Sequence, residues 1–281
     1  MNSVHIIGRT IVGIICIGLT LSAAAKTFDP NIESECERLW LDHAKRISKS
    51  DRPTTIQLLN TWASYEDKCS ASGYYWAKRA SLEAALGQFG AAKATLKRSP
   101  EGAADRSPAL AITQIHVRLE EYIAAARSVD VRRLAEFETE VTVVARRFPN
   151  WLPAAALLGG LQVLQGRYAQ AIQNLEKAST DKHADQGPIL RNLTIAYSGF
   201  GAHSAALESA DEALKVDSNL TADPDFCAAV IISSVRVDLL DDAEIVLKVV
   251  LRKNPSARSS PSLGRAARIY NEAREKAGVR K

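Results

Sequence analysis

One pattern constrains this chain more than any other. A glycine or aspartate is followed two residues on by an aromatic or leucine, and three residues later by an alanine. It is clearest as Gly166-x-Tyr168-x-x-Ala171, with Ile172, Leu175 and Ala178 following at helical spacing. It returns as Gly201-x-His203-x-x-Ala206, and again as Asp238-x-Leu240-x-x-Ala243 ahead of Asn254-Pro255. Towards the N-terminus Gly87-x-Phe89-x-x-Ala92 fits, and Glu120-x-Tyr122-x-x-Ala125 is a fainter copy. Successive alanines are 33, 46, 35 and 37 residues apart, the spacing of a helix-hairpin repeat. An apolar stretch of about a dozen residues precedes each clear copy, such as Ala154 to Gln165 or Ile189 to Ser198.

The spacing has a physical reading. The Gly, or a turn-tolerant Asp, ends a first helix, and the residue two further on plugs the hairpin. The alanine is small because the two helices come closest there, where a larger side chain would force them apart. One such hairpin cannot bury its apolar stripe alone, so the units are expected to stack. With only 15 Gly and 10 Pro in 281 residues, the chain reads as all-α. Apolar residues at 46% and charged ones at 24% exclude a disordered chain. The net charge of +4 is too small at this length to imply nucleic-acid binding.

These residues resemble the tetratricopeptide repeat family. Pro149-Asn150, Leu158-Gly159, Gly166, Tyr168, Ala171 and Ala178 match its pattern, as do Leu193, Ala196-Tyr197, Gly201, Ala206 and Ala213-Leu214. Trp76 and Ala80 stand where the family favours Trp and a small residue. The resemblance spans Ser70 to Pro255 and fades between Pro108 and Pro149, where two longer helices forming an irregular hairpin are expected. It implies a right-handed α-solenoid with helical caps, whose concave face binds protein segments.

The ends read differently. Residues 1–25 carry Arg9 and no acid, then an apolar run from Ile11 to Leu21, then Ser22-Ala23-Ala24-Ala25. That is the layout of a signal peptide cleaved after Ala25. An uncleaved anchor is the other reading, but the run is shorter than the roughly 20 residues a bilayer needs. After cleavage no transmembrane segment remains, and the protein is exported, to the periplasm if the source is bacterial. In an oxidising compartment Cys36 and Cys69, on either side of a hairpin spanning 31–48 and 54–67, are expected to be bridged, with Cys227 buried and free. The organisation is thus signal peptide 1–25, disulfide-linked cap 26–69, helical repeats 70–257 and basic capping helix 258–281. Within that last helix Leu263, Ala266-Ala267 and Ile269-Tyr270 are expected to face the final repeat.

No motif for catalysis is present: no G-x-S-x-G, no phosphate loop, no H-E-x-x-H and no C-x-x-C. His203 takes the plug position, His183 lies in a loop, and Glu120-Glu121 and Asp241-Asp242 are expected at helix N-termini. The chain therefore reads as a non-enzyme with no cofactor and no metal. The family resemblance puts the groove on the first helix of each unit: Tyr74, Ala77 and Ser81; Ala156, Gly160 and Val163; Arg191, Asn192, Ile195 and Ser198; Ala228, Ile232 and Val235. Such a surface suits an apolar extended or helical segment of another protein, with Arg191 as its most conspicuous charge. The C-terminal helix covering this stripe is the competing arrangement. Residues 252–281 hold nine basic side chains against two acids, a tail suited to an anionic contact or to plain solvation. An alternative to peptide binding is self-association into a structural assembly.

Overall fold

The computed structural model describes residues 27–44, 52–126, 129–181 and 185–279. The signal-peptide segment 1–25, His183 and the loop residue Ala184 lie outside the described residues. Among those described, the chain is all-helical, with fourteen α-helices and no strand.

The first three helices are α1 (Pro30–Ala44), α2 (Arg52–Ala63) and the single turn α3 (Glu66–Cys69). Pro53 occupies the first turn of α2, where its missing N–H costs nothing. Cys36 of α1 is disulfide-bonded to Cys69 of α3, and both are fully buried. Around the bridge the packing is aromatic. Trp62 meets Trp40, Tyr65 and Tyr75 at ring-centroid distances of 5.2 to 5.7 Å. Its indole N–H donates to the carbonyl of Tyr75 at 3.0 Å. That satisfies the one polar atom such a buried ring carries.

Four hairpins follow from the turn pattern. They are α4 (Gly73–Ala85) with α5 (Phe89–Lys97), and α8 (Leu152–Leu164) with α9 (Tyr168–Ser179). Next come α10 (Gln186–Phe200) with α11 (His203–Val216), and α12 (Pro224–Arg236) with α13 (Leu240–Lys253). In each the turn residue is left-handed: Gly87, Gly166, Gly201 and Asp238 have φ of 75°, 71°, 94° and 66°. Asp238 is the only described residue other than glycine with positive φ. The alanines five residues on, Ala92, Ala171, Ala206 and Ala243, are all fully buried. Closest approach extends to Gly159, where an added Cβ would lie 2.5 Å from Leu175 Cγ.

Between the first and second hairpins run two longer helices, α6 (Pro108–Ala125) and α7 (Val131–Arg147). The faint copy at 120–129 is no hairpin: α6 continues straight through Glu120-x-Tyr122, and Ala125 is exposed at its end. Glu120 and Glu121 therefore sit in the C-terminal half of a helix, not at an N-terminus. Asp241 and Asp242 do occupy the first turn of α13.

The last helix is α14 (Pro261–Val279). It packs on α12 and α13, with Leu263, Ala266 and Tyr270 buried, while Ala267 and Ile269 stay half-exposed. First helices also meet first helices along the chain: α4 touches α6, α6 touches α8, α8 touches α10, α10 touches α12, and α12 touches α14. Cys227, on α12, is buried and free as expected, and burial pushes its thiol up to about 12.

Candidate functional site

The row of first helices leaves a cavity of about 1250 Å³ along one side, walled by α6, α8, α10, α12 and α14. Small residues make it possible. Gly160, Ala156, Ala228 and Ala229 line it, the last two buried in its wall, where longer side chains would take up the space. Val163, Ile195 and Ile232 supply its apolar floor, and all three are only partly buried. Leu164 and Phe200, at the ends of α8 and α10, stand on its rim, 47% and 61% exposed. Large apolar groups exposed together on one concavity set this face apart from an ordinary solvated surface.

Of the residues expected in the groove, Ala156, Gly160, Val163, Arg191, Asn192, Ile195, Ser198, Ala228 and Ile232 line this cavity. Val235 does not; it packs against the C-terminal core. Tyr74, Ala77 and Ser81 also lie apart from it. Tyr74 and Ala77 are 4% and 1% exposed, and Ser81 is half-buried on the same helix. The reason is α1, which packs against α4. Its Glu33 accepts from the Tyr74 backbone N–H at 2.9 Å and from the Ser72 hydroxyl at 2.6 Å. Lys78 then lies over the rings of Trp40 and Tyr74, 5.2 and 5.3 Å from their centroids. The N-terminal cap thus covers the face of α4 that the repeat pattern leaves open.

Polar groups in the cavity are largely committed to one another. Ser198 Oγ donates to the carbonyl of Ala229 at 3.0 Å. Arg191 Nε binds Asp223 Oδ2 at 2.6 Å, and its Nη1 donates to Asn192 Oδ1 at 2.9 Å. The guanidinium that stands out in the sequence is therefore already neutralised. Asp223 is also the N-cap of α12, accepting from the N–H groups of Asp225 and Phe226. Burial works to raise its pKa, but Arg191 and those two N–H groups outweigh it, and the carboxyl stays below its ordinary range. Glu120 faces His116 at 3.3 Å. The hydrogen bond from His116 lowers its pKa, burial opposes this, and the charges of His116 and Arg191 add to the lowering. His203 is held below its ordinary value by burial and by Arg236. Among the described residues no group of three His, Cys, Asp or Glu side chains gathers as a metal site would need.

Two walls escaped the sequence reading. From α6 come Ile112, His116, Leu119, Glu120 and Ile123; from α14 come Ser262, Arg265 and Ile269. A signal for α14 exists in the numbering. Ile195, Ile232 and Ile269 follow at 37-residue intervals, as do Arg191, Ala228 and Arg265. The helix that reads as a cap thus occupies first-helix register and extends the cavity instead of covering it. No family model matches this chain, and no match to it is found among the curated proteins.

Proposed function

We propose that the protein is an exported scaffold of tetratricopeptide type, stacked as an α-solenoid, which holds a segment of another protein against the faces of α8, α10 and α12. The observation that carries this reading is the cavity itself, with partly exposed Ile195 and Ile232 on its floor and Phe200 on its rim. Four hairpins with left-handed turns and buried alanines support the family assignment. Export is supported by the layout of residues 1–25 and by the Cys36–Cys69 bridge; a periplasmic address belongs to the same reading. No described helix is long and apolar enough to cross a membrane.

The test is a pair of substitutions that alter the cavity without touching its ion pairs. Arg191→Glu is unsuitable, since it would set a third carboxylate beside Asp223 and Asp225. Ile195→Asp with Phe200→Ser avoids this. Crosslinking in the native compartment followed by mass spectrometry names the partner, and the double variant is expected to lose it while keeping the parental circular dichroism. A folded variant that captures the same partner overturns the reading. The exposed rim also fits a second copy of the chain. Light scattering decides that point: a dimer that Phe200→Ser dissociates identifies self-association as the rim's use.

A further inference from the structure

We propose that Asn219 is an acceptor for an N-linked glycan, taken from a polyprenyl-diphosphate-linked oligosaccharide as the chain is exported. The proposal rests on the export part of the reading above. Asparagine followed two residues on by Ser or Thr occurs three times: Asn192-Leu193-Thr194, Asn219-Leu220-Thr221 and Asn254-Pro255-Ser256. An exported chain meets oligosaccharyltransferases, which read that pattern. The third copy is void, because proline at its centre fixes the backbone and removes an N–H.

The fold separates the other two. Asn192 lines the cavity, its Oδ1 accepting from Arg191 Nη1 at 2.9 Å. Its Nδ2 lies against α8, where even a Cβ on Gly160 would come within 3.3 Å. Thr194 is fully buried, and its hydroxyl donates to the carbonyl of Leu190 at 2.9 Å. A sugar on Asn192 would fill the cavity and crowd α8 away from α10.

Asn219 is the opposite case. It lies on a single 3-10 turn, Ser218–Ala222, which joins α11 to α12. It is exposed, stands apart from the cavity lining, and its carboxamide makes no hydrogen bond among the described residues. Asp217 Oδ1 accepts from the Asn219 backbone N–H at 2.9 Å, a local turn that leaves the carboxamide to solvent. Bacterial transferases also ask for an acid two residues before the acceptor. Asp217 holds that place, whereas Asn192 has Leu190 there. In the folded chain the Thr221 hydroxyl donates to the Ser218 carbonyl at 2.7 Å and accepts from Lys253 Nζ at 2.6 Å, and Leu220 is buried. A transferase must hold that hydroxyl, so transfer precedes closure of the junction. In the step Asn219 Nδ2 bonds to the anomeric carbon and gives up one proton. The bond from that carbon to the diphosphate oxygen breaks, and its electron pair leaves with the polyprenyl diphosphate.

Glycopeptide mass spectrometry on the full chain from its native cell tests this, with the state of Cys36 and Cys69 scored in the same digest. The expected result is added sugar mass on the Asn219 peptide, none on the Asn192 peptide, and the mass of polypeptide alone for Asn219→Gln. Thr221→Ala is expected to lose the glycan and Thr221→Ser to keep it, although Asn219 is intact in both. An unmodified Asn219 in a chain whose bridge is formed overturns the proposal and leaves export standing. An unmodified Asn219 with both cysteines reduced and residues 1–25 still attached overturns both. A glycan that survives Thr221→Ala, or that sits on Asn192 instead, also overturns the proposal.

Discussion

The N-terminal and C-terminal parts of this molecule solve helix packing in opposite ways. Around α1 to α4 the contacts are made by bulk: Trp40, Trp62, Tyr65, Tyr74, Tyr75 and Trp76 crowd about one disulfide. Two arginines close the periphery, Arg79 and Arg98 both binding Glu66, with Arg98 stacked 4.6 Å from the Trp76 ring centroid. From α8 onward the contacts are made by near-absence of side chain, with Gly159, Ala171, Ala178, Ala206, Ala210 and Ala213 bringing backbones together. Bulky rings fill one particular space and do not repeat. Small residues set a separation that can be repeated, and with repetition comes a continuous wall of first helices. The difference teaches where the cavity can exist: it lies along the small-residue half, and the aromatic half closes over the corresponding face of α4.

That contrast can be broken by experiment. The largest effect is expected from Cys36→Ser with Cys69→Ser. Opening a loop of this size is worth about 4 kcal/mol by chain entropy, and the loss is expected to fall on α1 to α3. Tryptophan fluorescence should then report an early transition, with the helical signal of the C-terminal part melting later. A single coincident transition would show the two regions to be one cooperative unit. Next is Ala206→Leu, expected to cost about 1 to 3 kcal/mol by overpacking. Ala169→Leu, exposed on α9, is expected to stay within about 0.5 kcal/mol of the parent. Equal melting temperatures for the two would refute the small-residue account of the C-terminal half.

Asp223→Ala removes a helix cap and strips Arg191 of its partner, for a loss of about 1 to 2 kcal/mol. Its sign with pH follows from its lowered pKa. The Asp223 contribution is complete above the unfolded value and disappears as pH falls through the lower folded one. Denaturant titrations at descending pH should therefore bring parent and variant together in acid. Cys227 sharpens the contrast differently: at pH 8 the raised, buried thiol is expected to resist alkylation until α12 opens. The smallest effect has the opposite direction. Asp238→Gly relieves a left-handed aspartate and is expected to raise stability by up to about 1 kcal/mol, read as a shift in the denaturant midpoint.

What could be read from sequence tracks these same contacts. The four hairpins were legible because a left-handed turn and a close approach each demand a particular residue type, and the demand recurs. Glu120-x-Tyr122-x-x-Ala125 copies the letters without the turn residue, and Glu offers no relief at positive φ. The helix runs on, and the Tyr122 hydroxyl instead accepts from the Asp130 backbone N–H at 2.7 Å. The disulfide was legible from compartment and chain position. The covering of Tyr74 was not, because it depends on where α1 lies, and nothing local to α4 encodes that. Arg191 shows the same limit: its charge is visible in sequence, and its neutralisation by Asp223, 32 residues away, is not. Leu164 and Phe200 read as ordinary helix-end apolars until their exposure is known.

The outward character of α14 bears on association. It holds first-helix register, and one flank of it faces solvent. The residues there are Arg268, Asn271, Glu272 and Glu275, all exposed. A leucine-lined flank would invite the leading helix of another copy and carry the array onward into a fibre. Hydrated charges of both signs make such a junction costly to dry, so this flank is a poor template for end-to-end association.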